Sequence, residues 1–144
     1  MAGKNYLHQL DAKNRMRIPA KFREMLGEGY SITVGADNCL YVYSKEQADN
    51  VRKTLKNINP YRASRLKTAR FILYNFWDAE EDNQGRILLP ENLRKYAKIQ
   101  KNVIVFEGPN CIEIWSEEVW NENFNDIDFD DLADAIDELN SKNG

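Results

Sequence analysis

Asp11-Ala-Lys-Asn-Arg15-Met-Arg-Ile-Pro19-Ala-Lys-Phe-Arg23 returns 71 positions later as Asp82-Asn-Gln-Gly-Arg86-Ile-Leu-Leu-Pro90-Glu-Asn-Leu-Arg94. The Asp, the first Arg, the Pro and the last Arg are identical, and Ile18/Leu89 and Phe22/Leu93 are matched apolar positions. A second block follows in the same order. Asn38-Cys-Leu-Tyr-Val-Tyr-Ser44-Lys-Glu46 matches Asn110-Cys-Ile-Glu-Ile-Trp-Ser116-Glu-Glu118 at an offset of 72. Two blocks in one order mark a tandem duplication of a unit of about 45 residues.

Each unit reads alike in local physics. Tyr6–Leu10 and Arg15–Ile18 are short period-two segments joined by a tight turn. That turn centres on Asn14 in the first unit and Gly85 in the second, the residue types that best tolerate a left-handed backbone. Pro19 and Pro90 stand where a helix starts. A hairpin follows, Ser31–Val34 turning through Asp37-Asn38 into Leu40–Tyr43. Ser44 is placed as an N-cap with Gln47 completing a capping box, and Ser116 opens the counterpart helix. Ala48, Val51, Leu55 and Ile58 predict a linker helix ended by Asn59-Pro60, and a basic helix runs from about Ala63 to Leu73. Phe129, Leu132, Ala133, Ile136 and Leu139 form one stripe on an acidic C-terminal helix. The expected organisation is a first repeat at 5–47, a helical linker at 48–75, a second repeat at 76–119 and an acidic tail at 120–144. A two-stranded hairpin is marginal alone, so the repeats are expected to interlock into one β-rich core.

The chain has 144 residues and a net charge of −3, which at face value argues against a nucleic-acid partner. The distribution reverses that. Residues 1–70 hold 14 Lys+Arg against 6 Asp+Glu, while residues 117–144 hold 10 acidic residues and one lysine. In the stretch 4–23 there are six cations and one Asp; its equivalent, 75–94, has two cations and five carboxylates. Strand alternation turns Met16 and Ile18 to the core and Arg15 and Arg17 to solvent, with Lys13 beside them in the turn. The second repeat presents Arg86 and Leu88 on that face, with Gln84 in its turn. Guanidinium forks pair with guanine edges, lysine neutralises phosphate, and a two-stranded ribbon fits the major groove. Arg15 and Arg17 are therefore read as DNA contacts. Asp11 and Asp82, and much of Arg86, are read as structural, each Asp facing its Arg across the turn and accepting turn amides.

These motifs closely resemble the MraZ family of bacterial transcriptional regulators, whose two copies are SpoVT/AbrB-type units. The carrying residues are Asp11-x-x-x-Arg15 with Ile18-Pro19, Asp82-x-x-x-Arg86 with Leu89-Pro90, Tyr6-x-His8-x-x-Asp11 and Ile112-Glu-Ile-Trp115, over roughly residues 3–120. The resemblance implies an α+β fold: a duplicated swapped-hairpin, β-barrel-like core with helices at the linker and C-terminus. It further implies a sequence-specific DNA-binding regulator, a repressor of its own operon in a division and cell-wall gene cluster, that reads short direct repeats in double-stranded DNA. A ring-like homo-oligomer and a cytoplasmic, nucleoid-associated location follow from the same resemblance. Carried over, the DNA-reading residue is Arg15, with Lys13, Asn14 and Arg17 on the same hairpin and Arg86 as the second-repeat equivalent. Gly is frequent in the family where Asn14 stands, and the acidic surroundings of Arg86 set the second repeat apart.

Other classes have little to stand on. The single histidine, His8, lies on a strand, and no Cys-x-x-Cys, His-Glu-x-x-His or phosphate-binding loop occurs. Cys39 and Cys111 occupy matched positions beside hairpin turns and read as packing. No enzyme activity, cofactor, metal or small-molecule substrate is expected. Apolar runs such as Val103–Phe106 fall far short of the roughly 18 residues of a membrane span, and no signal segment opens the chain, so an intracellular protein is expected. The remaining alternative is an antitoxin-like interaction module of the same fold, gripping a basic partner through the acidic tail.

Overall fold

The computed structural model describes residues 7–143, so Tyr6 lies outside the described residues. The first half runs β1 (Leu7–Gln9), β2 (Arg15–Met16), α1 (Ala20–Leu26), β3 (Ser31–Val34), β4 (Leu40–Tyr43), α2 (Lys45–Lys56) and α3 (Ala63–Tyr74). The second runs β5 (Trp77–Asp78), β6 (Ile87–Leu88), α4 (Glu91–Tyr96), β7 (Asn102–Glu107), β8 (Ile112–Ser116), α5 (Glu117–Asn125) and α6 (Phe129–Asn143). The order of elements repeats, and so does their local chemistry. Asn14 and Gly85 both take positive φ, 61° and 76°. Ser44 accepts a hydrogen bond from the Gln47 amide while the Gln47 side chain accepts one from the Ser44 amide, closing the expected box. Ser116 caps α5 by accepting from Val119 N at 3.0 Å.

Strand pairing crosses between the halves. The main sheet is antiparallel with the order β1-β7-β8-β4-β3-β5, and β2 pairs with β6 in a separate two-stranded ribbon. The turn from β1 to β2 forms as expected, with Asp11 N donating to Arg15 O at 2.9 Å. The two strands then diverge: β1 adds to the second half's hairpin at β7, and β5 adds to the first half's hairpin at β3. The register shows a pseudo-two-fold relation. In β4–β8, Leu40 faces Ile114 and Val42 faces Ile112 around a central Tyr41–Glu113 pair. In the ribbon, Arg15 faces Leu88 and Met16 faces Ile87, so the same relation passes between Met16 and Ile87. Each half thus satisfies the backbone donors and acceptors that the other leaves open.

One core serves both halves. Ile18, Phe22, Ile32, Leu40 and Val42 bury with Ile87, Leu89, Leu93, Val103 and Ile114. The matched positions Ile18/Leu89 and Phe22/Leu93 all lie in it. A smaller cluster holds Cys39, Ile104, Trp115, Val119 and Trp120, with the two indoles edge to face at 5.7 Å. Both cysteines are free and buried, and burial pushes the Cys111 thiol up to about 12 and Cys39 upward too, so neither is a ready nucleophile. His8 is half-buried on β1, and its Nε2 has no hydrogen-bond partner among the described residues.

The acidic C-terminal helix forms as α6, with Asp128 Oδ1 accepting from the Asp130 and Asp131 amides at its start. Its apolar stripe does not reach the core: Phe129 is 77% exposed and Leu132, Ile136 and Leu139 are exposed with it. No helix of the described residues is long and apolar enough to cross a membrane.

Candidate nucleic-acid interface

The β2–β6 ribbon buries one face and presents the other. Met16, Ile18, Ile87 and Leu89 are buried, so alternation puts Arg15, Arg17, Arg86 and Leu88 on the outward face. Continuing the register sets Arg17 opposite Arg86. One end of the ribbon therefore carries Arg15 and Leu88 beside the Lys13 turn; the other carries Arg86 and Arg17 beside the Gln84 turn.

Two aspartates hold the turns. Asp11 Oδ1 accepts from Lys13 N at 2.8 Å and Arg15 N at 2.9 Å, and its Oδ2 accepts from Arg15 Nε at 2.9 Å. Asp82 repeats this with Gln84 N, Arg86 N and Arg86 Nε, each at 2.9 Å. The pairs also meet: Arg15 Nη1 lies 4.0 Å from Asp82 and Arg86 Nη1 lies 3.9 Å from Asp11. The result is a four-charge cluster with no net charge, built equally from both halves. Both carboxyls sit below the ordinary carboxylate range, Asp11 chiefly through the Arg15 amide and Asp82 chiefly through the Arg86 amide, with the guanidiniums adding.

The predicted residues assemble differently from their spacing along the chain. Lys13 is exposed in its turn, and neither its ammonium nor the Arg17 guanidinium has a partner among the described residues. These two supply the net positive charge of the face. Asn14 is a backbone residue here, its carbonyl accepting from Leu89 N at 3.0 Å and tying the ribbon across the halves. Arg15 and Arg86 make the same contacts with their aspartates and are equally exposed, their side chains at 26% and 27%. The expectation that Arg86 stands apart from Arg15 does not match this geometry. Two of its acidic neighbours are engaged: Asp82 with the two arginines, and Glu81 with Arg23, whose Nε and Nη2 donate at 2.9 and 2.6 Å.

That Arg23–Glu81 contact, joined by the Tyr30 hydroxyl at 2.8 Å, was not visible in the sequence pattern, since it pairs residues 58 positions apart. Arg23 above all, then Tyr30, holds the Glu81 carboxyl below its usual 4.5. A depressed carboxylate stabilises the fold above its unfolded pKa, and that contribution is lost as pH falls through the lower folded value. Glu81→Gln is expected to lower the melting temperature at pH 7 and to flatten its fall between about pH 5 and 3. Asp11, Asp78 and Asp82, also depressed, keep a residual slope. Thermal melts of both proteins across that range check this; parallel curves contradict it.

The chain is similar to known proteins along most of its length. The family described as "MraZ protein, putative antitoxin-like" matches residues 1–65 and 78–139, spanning both turns and both ribbon strands. The chain belongs to the MraZ family. Within it, the chain is 47% identical over 137 residues to the transcriptional regulator MraZ of Thermoanaerobacter sp. (strain X514), covering 94% of this chain and 96% of that one. It is 43% identical to the protein of that name from Caldanaerobacter subterraneus subsp. tengcongensis, with 94% and 96% covered. To that of Clostridium tetani it is 41% identical, with 93% and 95% covered. These MraZ relatives are named as transcriptional regulators and not as enzymes. Among the described residues, no group of three or more His, Cys, Asp or Glu side chains is placed to hold a metal ion.

Proposed function

We propose that this chain is a DNA-binding transcriptional regulator, acting at the nucleoid in the cytoplasm, that reads short repeats upstream of its own gene and represses its operon. The observation that carries this reading is the outward face of the β2–β6 ribbon, with Arg15 on β2, Arg17 and Arg86 each directly beside a strand, and Lys13 at one end. Arg17 and Lys13 attract phosphate, and Arg15 and Arg86, held by their aspartates, are oriented guanidinium forks for base edges. Preorganisation lowers the entropy lost on docking.

A self-assembled ring goes with it. The stripe on α6 is flanked by five carboxylates and one lysine, while α3 with Arg62 carries four cations and no carboxylate. The outer face of α3 shows Lys67, Arg70, Phe71 and Tyr74, the last 84% exposed. An acidic, apolar helix of one subunit and a basic, aromatic face of the next are complementary in charge and chemistry. The antitoxin-like alternative gives α6 to a basic protein instead.

The test is a binding titration of the purified protein on DNA from upstream of its gene against random DNA, across salt concentrations. Preferential binding is expected, with log K falling against log salt by about 0.9 for each phosphate neutralised. Equal affinity for both DNAs, or none, contradicts the reading.

A further inference from the structure

The ribbon's outward face is two-fold symmetric at Arg15 and Arg86 but not at the next outward position. Arg17 and Leu88 are equivalent residues of the two halves, 71 positions apart, and one is a guanidinium where the other is an alkyl group. Leu88 is 52% exposed among arginines, directly across from Arg15. A ribbon with matching outward residues would lie equally well on DNA in either orientation. The replacement makes the two orientations inequivalent.

Leu88 has no donor, acceptor or charge, so in a major groove it has one favourable partner, the C5-methyl of thymine. Arg17, at the opposite end beside Arg86, recognises guanine O6 and N7 or a phosphate oxygen. The turns reinforce the difference, with Lys13 at the Leu88 end and Gln84 at the Arg17 end. We propose that the Arg17/Leu88 mismatch sets the direction in which the ribbon lies on its site, with Leu88 against a thymine methyl. This rests on the ribbon being the DNA-reading surface. A site read this way has a polarity; its inverted copy is not equivalent.

Uracil lacks only that methyl, which makes the test specific. Each thymine of the bound upstream site is replaced singly by uracil, and affinities are measured for the wild-type protein, Leu88→Ala and Leu88→Arg. One replacement is expected to weaken the wild type by about fourfold, the worth of one buried methyl-sized group, and to leave the already weaker Leu88→Ala unaffected. Leu88→Arg, which matches the outward strand residues and leaves only Lys13 against Gln84 to tell the ends apart, is expected to discriminate less than the wild type between the site and its inverted copy. Wild-type binding that is insensitive to every uracil, or uracil sensitivity kept by Leu88→Ala, overturns the proposal while leaving the DNA-reading ribbon standing. Absence of any preferential binding by the wild type overturns both.

Discussion

An Arg15→Ala/Arg86→Ala double variant is expected to bind upstream DNA no better than random DNA, a loss of about 30- to 10⁴-fold at the specific site. The range follows from roughly 1–3 kcal/mol of discrimination for each bidentate arginine–base contact, with tenfold in affinity per 1.4 kcal/mol. The single variants are expected to lose similar amounts, because the two guanidiniums share one geometry and one exposure. The fold is expected to survive. Asp11 and Asp82 anchor their turns through backbone amides that alanine retains, and exposed ion pairs contribute little to stability. Titrations of the three variants, with melting curves beside them, check this. If Arg86→Ala binds like the wild type, only the first half reads bases.

Deleting residues 126–144 should produce the other large effect, and it has two components of opposite sign. The deletion removes seven carboxylates and one lysine, which strengthens attraction between each ribbon and DNA. It also removes α6 and the contact proposed for it on the neighbouring subunit. Linked sites gain about 10²- to 10⁴-fold when geometry permits simultaneous engagement, and a single subunit has no such gain. The truncated protein is therefore expected to sediment as a smaller species. It should bind DNA with one site at least as tightly as the full chain, and DNA with several sites about a hundredfold more weakly or worse. Unchanged sedimentation would assign α6 to a different partner.

The parts legible in the sequence are those fixed by local chemistry. Positive φ at Asn14 and Gly85, the Ser44–Gln47 box, and the burial of Ile18, Phe22, Leu89 and Leu93 all depend on residue type and alternation. Alternation says which face of a strand is buried, but not which strand lies beside it. That β1 pairs with β7 and β2 with β6 was therefore beyond its reach. Charge counted along the chain set Arg86 apart, because five carboxylates fall within residues 75–94. In space, Glu81 turns to Arg23, Asp78 to Arg52 and Asp82 is shared between Arg15 and Arg86, so much of the local surplus is paired within the fold. The stripe on α6 was legible as a stripe; what it covers was not, because nothing in its own half receives it.

The crossed pairing also governs when this molecule comes into being. During synthesis the first half emerges with β1 and β2 lacking the strands that complete them, since β6 and β7 come later in the chain. Contacts this distant close slowly, and until then the first half exposes unpaired edges that invite nonspecific association. The ribbon itself has no existence in a half-made chain, because one of its strands and half of its four-charge cluster have yet to be translated. A chain cut short in the linker therefore lacks the ribbon altogether, and with it the surface proposed to meet DNA.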